Sequence, residues 1–535
     1  MGSTQILRDV GKGVQPWEDS AQSGRRCSWI QSRTKGLAFL FWRFRYSLRY
    51  SVLTVRKTQG VGPASLSRRL GTVEAISINM SNMVGTGPFI TVPAILATMG
   101  GPQALVCWGF GAVIAIADGM VFAELGTTFP NSGGSYNFLR ECFGRERFGK
   151  LMAWLFVWQF LFSGTLEIAT STVGMAEYTC FLFGGLNQHP WAVRFVAALF
   201  SISAVLLLYR KIHDIARIMM ILWIGLLLTS VWVIVEGVLH FQSRLLFDLP
   251  DHAFALTLPF LLGLGNGTML VMFNFLGYYN ICHLGDEVKR PERVIPIAIL
   301  GSIVLVLVLD FGVSAAFTSV LPWREMVKPD SLAYAAVGSV FMQRIAGSWA
   351  SALMTLMVLI TAFGATYSMI LGYSRIPYAA ALDGTFFRYF AAVHPEKEFP
   401  HRSLLLVGIL STIASFFNLM QIITALLLVR ILVMFAAQIV GLLLLTRRRP
   451  NLLRPFRMWL YPLPALFALA SWLYIFCAQA FNPQGWVYML YVLGVIGTGL
   501  VLYFFFARWQ RSWPFRAVSQ GSAAAQGQLC AEDEA

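Results

Sequence analysis

An all-helical protein of twelve membrane spans is what this sequence predicts, and three observations carry that prediction. Hydrophobic residues make up 57% of the 535 and charged residues only 13%, about half the charge of an ordinary soluble domain. Twelve apolar runs follow one another, each close to the ~20 residues that cross a hydrocarbon core. Every second connection between them is rich in Lys and Arg. A soluble fold of this composition would need a greasy outer shell. A cytosolic enzyme, a DNA-binding protein and a secreted disulfide scaffold are therefore excluded as first readings.

The runs lie at roughly 73–98, 102–125, 150–182, 191–209, 215–240, 255–283, 294–321, 337–373, 403–418, 421–446, 458–481 and 484–508. Basic connections follow the second run (Arg140, Arg145, Arg147, Lys150), the fourth (Arg210, Lys211, Arg217) and the sixth (Lys289, Arg290, Arg293). They recur after the eighth (Arg375, Arg388, Lys397, Arg402) and the tenth (Arg447, Arg448, Arg449, Arg454, Arg457). Positive charge stays on the cytoplasmic side, so both termini are expected in the cytoplasm of a multi-pass protein of the cell membrane.

The net charge of +15 fits the same scheme. Thirteen Lys and Arg against three Asp and Glu precede Gly71, and no base-stacking or groove-binding module accompanies them, so no nucleic acid is expected. Residues 1–70 are read as a basic cytoplasmic segment, disordered or lying on the anionic leaflet through its Arg and aromatic residues. A twelve-helix membrane domain occupies 71–510, with repeats at about 71–240 and 255–446 followed by two more helices. Residues 511–535 read as a disordered cytoplasmic tail. Seven scattered cysteines without CxxC spacing suggest neither a metal site nor a disulfide framework.

Runs one and six share an unusual interruption. The first carries Asn79, Asn82 and then Gly85-Thr86-Gly87-Pro88 in mid-span; the sixth carries Gly263, Gly265 and Gly267, then Phe273-Asn274-Phe275-Leu276-Gly277-Tyr278. Proline removes a ladder donor and glycine removes the penalty for unwinding. Non-helical backbone at membrane depth survives only inside protein or beside a wet cavity. Interruptions at matching positions of two halves point to a five-plus-five inverted repeat with the binding site between them. Freed N–H groups of Thr86 and Gly87 at a half-helix start suit a carboxylate. Freed carbonyls near Asn82, Phe273 and Asn274 suit an ammonium. In outline that is a site for an amino-acid zwitterion.

At these residues the chain resembles the amino acid–polyamine–organocation permeases, from about Gly71 to Arg449. Val84-Gly85-Thr86-Gly87 is similar to that family's substrate loop, with Thr86 in place of the usual Ser. Ala123-Glu124-Leu125-Gly126 through Pro130, Gly133-Gly134 and Tyr136 resembles its second-span signature. Gly285-Asp286-Glu287-Val288-Lys289-Arg290-Pro291 resembles the stretch after its sixth span, and Ser374-Arg375 with Ala381-Leu382-Asp383-Gly384 the motif after its eighth. The resemblance implies a leucine-transporter-like fold and a secondary active transporter of amino acids or related amines, without a chemical cofactor. It implies that Gly85, Thr86 and Gly87 hold the substrate's two charged ends. The second half of the pocket would come from Phe273 to Gly277, with Tyr278 and an aromatic lid. Glu124, Glu287 and Arg375 would be inner-gate or structural charges. Two departures matter. The fifth-span lysine that replaces sodium in some members has no counterpart in Ile221–Leu228. The acidic residue of polyamine-handling relatives is Tyr279 here.

Glu167, in mid-span three, is costly unless it faces a cavity or a partner. It is expected either to line the substrate cavity, binding an amine or relaying a co-transported proton, or to pair structurally with Arg430 of span ten. Arg430 is expected as an outer gate against Glu167, the alternative being to snorkel. Asp118 and Asp310 are further intramembrane charges without an assigned role. The rival readings are a cationic amino acid or polyamine carrier, a nutrient sensor on the same scaffold, an ion channel, and a membrane enzyme. For the last, no HExxH, GxSxG, P-loop or Cys/His ligand spacing is found.

Overall fold

A computed structural model describes residues 68–515 other than 69, 84–86, 132, 146, 184–188, 210–214, 395–398 and 511. The expectations for the basic N-terminal segment and the C-terminal tail fall almost wholly outside the described residues. Among those residues there is no β-strand; one parallel bridge joins Leu70 to Val288.

The first run forms α1 (Thr72–Met83) and α2 (Gly87–Met99). Then come α3 (Val106–Thr128), α4 (Ser135–Cys142), α5 (Phe148–Leu182), α6 (Pro190–Leu208) and α7 (Ile215–Leu239). The second half holds α8 (Leu258–Phe275), α9 (Pro291–Val320), α10 (Val337–Ala346), α11 (Ser348–Tyr373) and α12 (Arg375–Leu382). It ends with α13 (His401–Ala414), α14 (Leu419–Arg448), α15 (Leu463–Ala480) and α16 (Gly485–Trp509). Nine helices among the described residues are long and apolar enough to cross a membrane. Shorter apolar helices, α2, α13 and Leu227–Leu239 of α7, occupy the first, ninth and fifth predicted runs.

Local sequence explains the boundaries. Helix α8 starts where the Thr257 hydroxyl accepts from the Phe260 N–H and Pro259 follows inside the first turn. It stops because Leu276 turns extended and Gly277 takes φ +111°, a conformation open to glycine. Two 3-10 turns follow, Asn280–His283 and Gly285–Glu287. Run eight is likewise two helices, α10 and α11, parted by Gly347 at φ +82°. Helix α14 opens on a reciprocal cap between Asn418 and Gln421 and widens into a π turn over Ile431–Ala436, directly after Arg430.

The helices sort into two packed groups. Helix α9 lies against α1 and α3, and α8 against α2 and α3. Gly119 permits the first of these contacts, because a Cβ there would come 3.0 Å from Ile299 and Ile303. Helix α5 is the hub of the second group, packed on α6, α11, α13 and α14. Tyr178 of α5 bridges the groups: its hydroxyl donates to the Phe89 carbonyl at 3.0 Å and accepts from the Gly338 N–H at 3.1 Å.

Candidate functional site

The interruptions of spans one and six meet. Gly87, at the start of α2, lies so close to Asn274 in the last turn of α8 that a Cβ would fall 1.8 Å from Asn274 Oδ1. Asn274 is 2% exposed. Its Nδ2 donates to Thr91 Oγ1 at 3.1 Å and to the Leu270 carbonyl at 2.8 Å. Thr91 in turn donates to the Gly87 carbonyl at 2.9 Å. Asn274 Oδ1 accepts from none of the described residues, a buried acceptor that would cost about 1–3 kcal/mol if it stayed unmet.

On the other side of the interruption, Asn79 of α1 grips the stretch that follows α8. Its Nδ2 donates to the Tyr278 carbonyl at 2.6 Å, and its Oδ1 accepts from the Ile281 N–H at 2.9 Å. These groups would be orphaned by the end of α8, so a side chain from span one replaces the missing helix. Tyr278 is fully buried and its hydroxyl donates to Asp118 of α3. Phe273 is half-buried, while Phe275 is buried edge-on against Trp108.

Of the predicted substrate residues, the structure brings together Gly87, Asn274, Gly277 and Tyr278, with Phe273 on the same turn. Gly85, Thr86 and the side chain of Asn82 lie outside the described residues.

Glu167 and Arg430 form an ion pair at 2.5 Å, with Arg430 wholly buried and Glu167 8% exposed. Arg430 Nε also donates to Ser163 Oγ at 3.1 Å, and the Tyr373 hydroxyl donates to Glu167 Oε2 at 2.7 Å. Tyr279, just past the interruption in span six, sits beside the guanidinium. Spans three, eight and ten are thus tied in one polar cluster. Snorkelling of Arg430 is corrected by its complete burial. The sequence reading missed Ser163 and Tyr373. Ser163 could have been found, since it precedes Glu167 by four residues and shares its helix face; Tyr373 carries no local signal.

The remaining predicted charges gather at one end of the bundle. Glu124 accepts from Arg454 at 2.8 Å and from the Met458 N–H at 3.0 Å, fastening the connection after α14 onto α3. Glu287 and Arg375 face each other electrostatically. Burial raises the Glu287 carboxyl above its ordinary range, Asp286 adds to that push, and Arg375 opposes it. The motifs also interlock here. A Cβ on Gly134 would strike the His283 ring at 2.7 Å, one on Gly285 would strike Pro130 at 2.9 Å, and Tyr136 bonds Thr385 at 2.6 Å. No group of three or more His, Cys, Asp or Glu able to hold a metal occurs among the described residues.

A polytopic helical membrane protein with paired interruptions in its first and sixth spans is the class these features define. Residues 70–501 match the amino acid permease family, and the chain belongs to that family: it is a membrane transporter and not an enzyme. It is similar to a vacuolar cationic amino acid transporter of Arabidopsis thaliana, 25% identical over 69% of this chain and 62% of that protein. A branched-chain amino acid permease of Bacillus subtilis (strain 168) is 23% identical over 84% of this chain and 94% of its own. A b(0,+)-type amino acid transporter of Mus musculus is 25% identical over 84% and 90%. The chain therefore spans less than two thirds of the Arabidopsis relative and most of the other two.

Proposed function

We propose that this permease moves an amino acid across the cell membrane by alternating access. Its substrate sits between the facing ends of α1 and α2 and the turn that ends α8. The observation that carries the reading is the contact of Gly87 with Asn274, where two helix interruptions meet beside an acceptor with no partner. An ammonium or a substrate N–H satisfies Asn274 Oδ1, and the start of α2 favours the carboxylate. The α1, α3, α8 and α9 group would rock against the group built on α5. Twelve spans in a five-plus-five inverted repeat, with both termini in the cytoplasm, complete the proposal; the alternating basic connections support it.

A neutral amino acid is favoured over a polyamine. Glu167 is neutralised by Arg430 and Asp118 holds the Tyr278 hydroxyl, so neither is free to receive a second cationic group. The test is uptake of labelled leucine, arginine, glutamate and putrescine into proteoliposomes, with and without internal substrate. Uptake of leucine above the others supports the reading. Uptake of putrescine alone overturns the zwitterion site, and silence under every condition returns the sensor reading.

A further inference from the structure

We propose that Asp310 in α9 is the proton-carrying carboxyl that couples transport to a proton gradient, a role that rests on the transport reading above. Asp310 is 1% exposed, and neither carboxyl oxygen has a hydrogen-bond partner among the described residues. Among them it is the one fully buried carboxyl with both oxygens unmet; Glu177 of α5, also without a partner there, is half-buried.

Its place in the fold gives this meaning. Residues 303, 310 and 317 are seven apart and share one face of α9. Ile303 packs at Gly119 of α3, and the Phe317 ring lies 6.0 Å from that of Phe89 in α2. Lower on the helix, Asn79 of α1 reaches Ser302 at 3.4 Å. Asp310 stands about 12 Å beyond Ser302 and about 10 Å before Phe317 along the helix axis. It therefore lies between the level of Asn79 in α1 and that of Phe89 in α2. A carboxyl at that level senses which side of the membrane the site faces.

The described charged groups on elements packed against α9 are otherwise engaged or exposed. Glu74 accepts from the Gly71 N–H, Asp118 holds Tyr278, and Glu124 holds Arg454. Glu236 takes Trp232 and His240, and Arg344 takes Glu325. Arg244 is exposed, and His283 is packed under Gly134. Asp310 has neither a counter-charge nor a hydrogen-bond donor among the described residues, and a lone ionised carboxylate at membrane depth is costly. A metal ion does not fit, because sodium or calcium needs several oxygens. Val306 and Val313 are its apolar neighbours on that face, and the Ser314 hydroxyl donates to the Asp310 main-chain carbonyl. A proton needs one oxygen. The carboxylate takes a proton from one side and gives it up to the other, and no other bond changes.

The test uses purified full-length protein in liposomes loaded with a pH-sensitive dye. Wild type is expected to acidify the lumen as it takes up substrate, and its uptake to rise with an inward proton gradient. Asp310→Asn is expected to keep substrate exchange at equal pH while its gradient stimulation falls to unity. Asp310→Glu is expected to keep stimulation with a displaced pH dependence. The proposal is overturned if wild type exchanges substrate without moving protons, if an inward sodium gradient replaces the proton gradient, or if Asp310→Asn remains stimulated. Should Asp310→Asn lose exchange as well, loss of stimulation in a still-exchanging Asp310→Glu overturns it equally. A wild type that transports nothing under any condition instead defeats the transport reading itself.

Discussion

Removing one member of the Glu167–Arg430 pair should harm the protein more than removing both. Neither charge has water to fall back on, since Arg430 is fully buried and Glu167 nearly so. In Glu167→Leu the guanidinium keeps Ser163 Oγ but loses its only counter-charge among the described residues, with Nη1 already lacking a partner there. Stranding one member of a buried pair costs about 3–5 kcal/mol, whereas exchanging the whole pair for apolar groups of similar volume is often neutral. Arg430→Met strands Glu167 instead, although the Tyr373 hydroxyl still donates to it and returns about 1 kcal/mol. The double variant Glu167→Leu/Arg430→Met should therefore unfold closer to wild type than either single change. With single losses of about 3–5 and 2–4 kcal/mol and a nearly neutral double variant, the coupling should reach at least the ~3 kcal/mol upper end for contacting residues. Reversible denaturation in mixed detergent micelles, followed by tryptophan fluorescence, measures all four proteins. A double variant that loses the sum of the two single losses would refute the buried-pair reasoning. Uptake gives the second reading: normal transport and pH dependence in Glu167→Gln would remove Glu167 from coupling and leave it a strut.

The other predictions concern the interruptions and the motif end. Gly87→Ala should abolish uptake, because its Cβ would collide with Asn274; uptake at wild-type rate would show that α2 and α8 separate freely at that point. Asn79→Ala orphans the Tyr278 carbonyl and the Ile281 N–H, at about 1–3 kcal/mol each, and should lower both the unfolding midpoint and transport. Asn79→Asp keeps the acceptor for Ile281 and should lose less. Arg454→Ala strands Glu124 at 1% side-chain exposure and should open the connection after α14 to protease; an unchanged digestion pattern would deny the fastening role. Tyr178→Phe removes the bridge from Phe89 to Gly338 and should cost about 1–2 kcal/mol for two neutral hydrogen bonds, read in the same denaturation experiment.

Much of this architecture was legible because a membrane leaves a chain few options. Apolar runs become helices, and glycine marks where a helix yields, as Gly277 does at the end of α8. What stayed hidden depends on pairing across the fold. Nothing near Tyr373 announces that its hydroxyl will meet Glu167, 206 positions away. The π turn after Arg430 is built from ordinary apolar residues, Ile431–Ala436. Its cause lies in the polar cluster that Arg430 must reach, since an added residue per turn reorients the helix just where that side chain leaves it.

The same distinction decides which polar residues serve movement. Asn79 and Asn274 looked alike in the sequence, each an asparagine in an interrupted span. Asn79 has its carbonyl and amide both committed to backbone, so it is a replacement for lost helix and should tolerate little change in any state. Asn274 holds two donor bonds and an empty acceptor, so part of its bonding capacity is held open against Gly87. Asp310 carries that pattern to its limit, with both oxygens open. A transporter must leave groups unsatisfied in one state in order to gain from satisfying them in another. The unmet atoms of Asn274 and Asp310, rather than the ion-paired Glu167 carboxylate, are therefore where substrate and driving ion should register.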